Sequence, residues 1–223
     1  MSCARGSLPS DKFFMLHGEF IPAADKNSRR LFVVLHGLGD SLEGWRWLPG
    51  ALDLPEMNYL LVNAPDDYHG GYSWFDYPGE IAPGIHRSRK LLFELLDDLR
   101  AKNFPAAQMT LGGFSQGCLM SLETGLRYPH RLAGIVGISG WVFDIENLIR
   151  DLTPVAKSQR LLVTHGHFDP ILPFAEVSKQ IGRLKSAGLN VAWHEFPKEH
   201  TIHGTEEISI IREFVRAGYV SSR

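Results

Sequence analysis

Short, nearly continuous apolar runs separated by longer segments of helical period constrain this chain more than any other feature. The runs are RLFVVLH (30–36), YLLVNA (59–64), MTLGGF (109–114), LAGIVGIS (132–139), RLLVTHG (160–166) and NVAWHEF (190–196). A strand such as LFVVL has no polar alternation, so both of its faces must be covered, as happens in a parallel sheet with helices on either side. Between and after the runs, Ile85, Leu92, Leu95, Leu96 and Leu99, and then Ile208, Ile211, Phe214 and Val215, recur at helical spacing. The expectation is an α/β chain with a mostly parallel central sheet and helices on both faces. KFFMLHGEFIPA (12–23) is a candidate extra strand or hairpin at the sheet edge. With 223 residues and 44% hydrophobic content, and no linker or internal repeat, residues 1–223 read as one domain whose first ~10 residues are expected to be flexible.

Within this alternation, LGGFSQGCLM (111–120) places three glycines around a serine where a strand pattern gives way to a helix pattern. Glycine weakens regular structure unless a sharp bend needs it. GFSQG matches G-x-S-x-G, in which the serine occupies a strained strand-to-helix turn that lifts Oγ above the sheet, and the flanking glycines avoid Cβ clashes. Neither GGFSQG nor HGLGDS has the G-x-G-x-x-G spacing of a dinucleotide site.

A serine hydroxyl is a weak nucleophile without a base to take its proton and a carboxylate to orient that base. In the α/β-hydrolase order these follow the serine as Asp or Glu and then His, on loops at strand ends. Asp169 in HFDPILP lies just past the strand RLLVTHG, while Asp144 and Asp151 follow another strand and fit less well. For the base, His200 lies on the loop after NVAWHEF, with His203 as a close competitor; His194 alternates within the strand and reads as a sheet residue. His165 and His167 form an H-x-H pair without a third ligand at metal-site spacing, so no metal is expected. Donors to a developing oxyanion are expected from the backbone N–H groups of Gln116, after the serine, and Leu38, in the glycine-rich LHGLGD loop (35–40).

The acyl chemistry this points to needs no cofactor. The formal charge of −2 comes from interspersed Lys, Arg, Asp and Glu, which gives no basic stripe for nucleic acid. No run approaches the ~18 apolar residues of a membrane span, and MSCARGSLPSDKFFML lacks the apolar core of a secretory leader. Two cysteines, Cys3 and Cys118, make no disulfide framework, and the expected location is the cytoplasm. Gly140 to Gln159 holds only the short helical pattern IENLIRDL, too little for a large lid domain, so an open site is expected.

LHGLGDSLEGW, NAPDDYHGGYSWFDY, GGFSQGCLMSL, GISGW, HGHFDPILPF and EHTI, in this order, resemble the acyl-protein thioesterase-like phospholipase/carboxylesterases, small serine hydrolases of the α/β-hydrolase fold. The resemblance runs from about Leu31 to Val215. It implies Ser115 as nucleophile, Asp169 as orienter, His200 as base, and Leu38 and Gln116 as oxyanion donors. It further implies that Trp74, Phe75 and Trp141 line or support an acyl pocket for a small-molecule ester or thioester. Two departures stand out. Family members often carry G-M-G-H where this chain has PKEH, and a second glycine where it has Cys118. A non-catalytic binding protein on the same fold, or a peptidase or lactone hydrolase using the same triad, are the competing readings.

Overall fold

The computed structural model describes residues 16–219; the expectation of a flexible N-terminus, and the start of the 12–23 run, lie outside them. In chain order the elements are β1 (Gly18–Ile21), β2 (Leu31–Leu35), α1 (Leu48–Leu52), β3 (Asn58–Val62), β4 (Asp66–Tyr68), β5 (Gly71–Ser73), α2 (Ile81–Ala101), β6 (Met109–Phe114), α3 (Gln116–Arg127), β7 (Gly134–Ile138), α4 (Ile145–Arg150), β8 (Arg160–Gly166), α5 (Phe174–Ser186), β9 (Asn190–Phe196) and α6 (Gly204–Ala217). Among the described residues the main sheet has seven strands in the order β1-β3-β2-β6-β7-β8-β9. Only β1 runs antiparallel, capping β3 at the edge where the 12–23 run was expected. All six strand runs read from the sequence are present, and a short β4–β5 ribbon lies outside the sheet.

Alternation of side chains sorts the strand residues between two cores. Leu31, Val33 and Leu35 of β2 join Leu111 of β6 and Val163 of β8 beneath α2, α3, α4 and α5, whose Leu92, Leu119, Leu148 and Ile181 face them. On the other face Phe32, Val34, Val136 and Leu162 pack against α1 and α6 through Leu52, Ile211 and Val215. Burial on both faces is why these runs carry no polar alternation.

α5 was not anticipated, although Val177, Ile181 and Leu184 bury one face of it at helical spacing. The segment between β7 and β8 holds only α4 and a single 3-10 turn, and among the described residues no large lid covers the sheet. No helix among the described residues is long and apolar enough to cross a membrane. The parallel register aligns Leu35 with Gly113 and Gly166 with Phe196, bringing the loops after β2, β6, β8 and β9 to one edge of the sheet. The carboxyl ends of parallel strands are where such sheets hold ligands.

Candidate active site

Ser115 sits between β6 and α3 with φ 54° and ψ −116°, a conformation that a residue bearing a Cβ rarely adopts. Its N–H donates to the Ile138 carbonyl of β7 at 2.9 Å, which holds the turn on the sheet. The two motif glycines are fixed by space. A Cβ on Gly113 would come within 2.5 Å of the Leu35 carbonyl oxygen, and one on Gly117 within 2.2 Å of the same atom. The start of α3 is thereby laid directly on the end of β2.

The turn aims Oγ at His200. The Ser115 hydroxyl lies 2.9 Å from Nε2, in position to donate to it, and the opposite ring nitrogen, Nδ1, lies 2.7 Å from Asp169 Oδ2. The other oxygen, Oδ1, accepts the backbone N–H groups of Ile171 and Leu172, both at 2.9 Å. Asp169 is only 6% exposed. Burial by itself would raise its pKa, but these two amides and the adjacent His200 outweigh it and hold the carboxyl below its ordinary value. The His200 ring rests against Phe114 at 4.9 Å between centroids.

The other candidates are occupied elsewhere. His203 packs at a tilt on Phe196 and faces Glu206, while His194 stays in β9, half-buried and paired in register with Thr164. Asp144 caps α4 by accepting the Asn147 N–H, and Asp151 pairs with Arg127 and Arg150. His165 is fully buried, donates from Nε2 to the Leu172 carbonyl at 2.9 Å and stacks on Trp193; burial pushes its pKa down. It thus braces the loop that carries Asp169. His167 packs on Phe174 and approaches Glu195. Among the described residues no three His, Cys, Asp or Glu side chains are grouped to hold a metal.

Ser115 and His200 open onto a cleft of about 310 Å³ whose walls include Leu38, Tyr77, Phe114, Gln116, Trp141, Ile171 and Leu172. Leu38 and Gln116, the residues expected to supply oxyanion donors, thus share the cleft with the serine. The Leu38 loop is held by the ribbon: Gly39 N–H donates to the Tyr72 carbonyl and Tyr72 N–H to the Asp40 carbonyl, each at 2.9 Å. Trp141 lines the cleft as expected from the resemblance. Trp74 and Phe75 do not; both are 0% exposed. Trp74 Nε1 donates to the His36 carbonyl at 2.9 Å, and Phe75 stands edge-on behind Trp141. Of the two roles the resemblance implies, lining or supporting the pocket, burial corrects the first for these two rings, and of the three aromatics only Trp141 lines the cleft, with Phe75 packed behind it.

Sequence reasoning missed the side chain of Gln116. Its Oε1 accepts the Trp74 N–H at 3.0 Å and the Ser73 hydroxyl at 3.3 Å, while Nε2 donates to the Phe75 carbonyl at 3.2 Å. Tyr77, which ends the quoted SWFDY, and Ile171, which follows the quoted DP, are cleft walls that only the folded loops reveal.

This geometry can move a hydroxyl proton to an imidazole whose positive form a buried carboxylate stabilises, beside a largely apolar cleft. Known proteins share the fold and part of the sequence. Acyl-protein thioesterase 1 of Schizosaccharomyces pombe is 37% identical over 154 residues, covering 63% of this chain and 69% of that protein. Acyl-protein thioesterase 1 of Debaryomyces hansenii is 28% identical over 218 residues, 87% of this chain and 94% of its own. The crystal structure of esterase PE8 superimposes with a TM-score of 0.82 at 28% identity, over 90% of this chain and 98% of the esterase. The phospholipase/carboxylesterase family model matches residues 16–218, and the chain belongs to that family.

Proposed function

We propose that this protein hydrolyses carboxylic esters or acyl thioesters through a covalent acyl-enzyme on Ser115. Oγ attacks the acyl carbonyl carbon as its proton passes to His200 Nε2, and the backbone N–H groups of Leu38 and Gln116 bond the oxyanion. The imidazolium, held by Asp169, then protonates the departing alkoxide or thiolate. Water repeats the attack on the acyl-enzyme, again giving a proton to His200, and the released acid leaves Ser115 protonated. No step uses a metal or organic cofactor.

The observation that carries this reading is the unbroken hydrogen-bond chain from Asp169 Oδ2 through His200 to Ser115 Oγ, with separations of 2.7 and 2.9 Å. Relatives named as thioesterases and an esterase support the acyl chemistry. Trp141 and Leu172 form part of the apolar wall that an acyl chain would lie against. The same reading takes residues 1–223 as one catalytic domain acting in the cytoplasm, in keeping with the small net charge and the two cysteines.

The test is a panel of p-nitrophenyl esters of increasing acyl length beside long-chain acyl thioesters and lysophospholipid. The wild-type protein is expected to turn over one of these classes, and Ser115→Ala to lower kcat on the order of 10⁴-fold or more with an unchanged melting temperature. Near-normal turnover by folded Ser115→Ala would refute the nucleophile.

A further inference from the structure

His200 lies within a segment, 198–203, that follows β9 and has neither helix nor strand of its own. Both ends of this segment reach the same buried carboxylate. At one end Lys198 Nζ donates to Glu207 Oε1 at 2.7 Å and to Oε2 at 2.9 Å; at the other the His203 backbone N–H donates to Oε2. The Thr164 hydroxyl donates to Oε1, which fixes Glu207 of α6 to β8. The lysine and glutamate side chains are 1% and 0% exposed, and neither lines the cleft.

The Lys198 backbone completes the arrangement. Its carbonyl accepts the Phe168 N–H at 3.1 Å, tying the His200 segment to the loop that carries Asp169. The segment passes so close to β8 that a Cβ on Gly166 would come within 2.2 Å of the Lys198 carbonyl oxygen.

Buried ion pairs contribute little net stability, because desolvation offsets most of their attraction, and in some proteins what they supply is a fixed arrangement. We propose that Lys198 and Glu207 are positioning residues for His200. One carboxylate grips both ends of the segment and so sets the reach of the imidazole between Asp169 and Ser115. Their effect on turnover rests on the acyl-transfer reading of the site; their effect on the His200–Asp169 hydrogen bond does not. The pair also gives a physical meaning to the PKEH departure, since the lysine at the second position before His200 arrives with its own counter-charge.

The experiment compares wild type with Lys198→Met, Glu207→Gln and the double variant, reading kcat, KM, the melting temperature and the far-downfield proton NMR signal of His200 Nδ1–H. A shift on the order of 1 Å in a catalytic group can cost about 10²-fold. Each single variant is therefore expected to lower kcat about tenfold or more, leave KM within about twofold and weaken the proton signal. The double variant is expected to be no slower than the slower single, because both act through one clamp. If a single variant fails to fold, Glu207→Asp keeps the charge on a shorter arm and is expected to show the same loss in kcat and signal. Folded variants with wild-type kcat and an unchanged signal, or losses that multiply in the double variant, would overturn the proposal. A wild-type protein that shows the signal, loses it in the variants and yet cleaves neither esters nor acyl thioesters would instead refute the acyl-transfer reading and leave the positioning role standing.

Discussion

At Gln116 the backbone and the side chain serve different ends. The amide nitrogen is proposed to meet the oxyanion, while the carboxamide satisfies the Trp74 N–H, the Ser73 hydroxyl and the Phe75 carbonyl inside the protein. Truncation would leave the buried Trp74 N–H unpaired, at a cost of about 1–3 kcal/mol when no water replaces the bond, whereas the Ser73 hydroxyl keeps its 2.6 Å bond to the Phe75 carbonyl. Gln116→Ala is accordingly expected to lower the unfolding free energy by about 1–3 kcal/mol in urea titration; a change below about 0.5 kcal/mol would show that the clamp is idle. Ser115, Asp169 and His200 were legible as candidates because each follows a recognisable strand in the expected order. The choice of His200 over His203 depended on how segment 198–203 bends, and no spacing encodes that bend. Whether Trp74 and Phe75 line the pocket or support it from behind was open for a related reason: an aromatic residue in a loop declares its bulk but not the direction in which it points.

Among the elements, α3 shows how a departure from the family pattern is absorbed. Residues Gln116 to Leu126 of this helix are all buried. Cys118, where the resemblance implies a second glycine, lies against Gly137 and Gly140; a Cβ on Gly140 would come within 2.5 Å of its sulfur. Burial pushes the Cys118 thiol up to about 12, so it stays protonated and unreactive. Cys118→Gly should cost about 2 kcal/mol, from helix propensity and the lost sulfur contacts, while kcat stays within about threefold; denaturant melts and ester kinetics check both halves. The principal strands were readable because two-sided burial writes them as apolar runs. α5 was not, since only Val177, Ile181 and Leu184 mark its buried face among charged and polar neighbours. The β4–β5 ribbon, three residues a side, is too short to have a period, although it holds the Leu38 loop.

For the molecule as a whole, the buried titratable groups set its response to acid. His36 and His165 are each 1% exposed or less, and burial lowers both pKa values below 6.5. The unfolded chain would bind protons at these rings that the folded chain resists, so stability falls as pH drops below about 6.5. Asp169 acts in a lower window. Its folded pKa is depressed, so its contribution is complete above the ordinary carboxylate value of about 3.9 and is lost as pH falls through the depressed value. Urea titrations are expected to give a lower unfolding free energy at pH 5.5 than at pH 7.5, with a further fall below pH 4. A rise between pH 7.5 and 5.5 would contradict that ordering.

In the proposed reaction the acyl group passes through Ser115. This step is tested most directly by mixing enzyme with a p-nitrophenyl ester, recording the pre-steady-state release of p-nitrophenol, and locating the adduct in acid-quenched protein by peptide mass mapping. One acyl group per chain is expected, on the peptide holding Ser115, and none in Ser115→Ala. Full turnover by Ser115→Ala, or an acyl group on another residue, would contradict it.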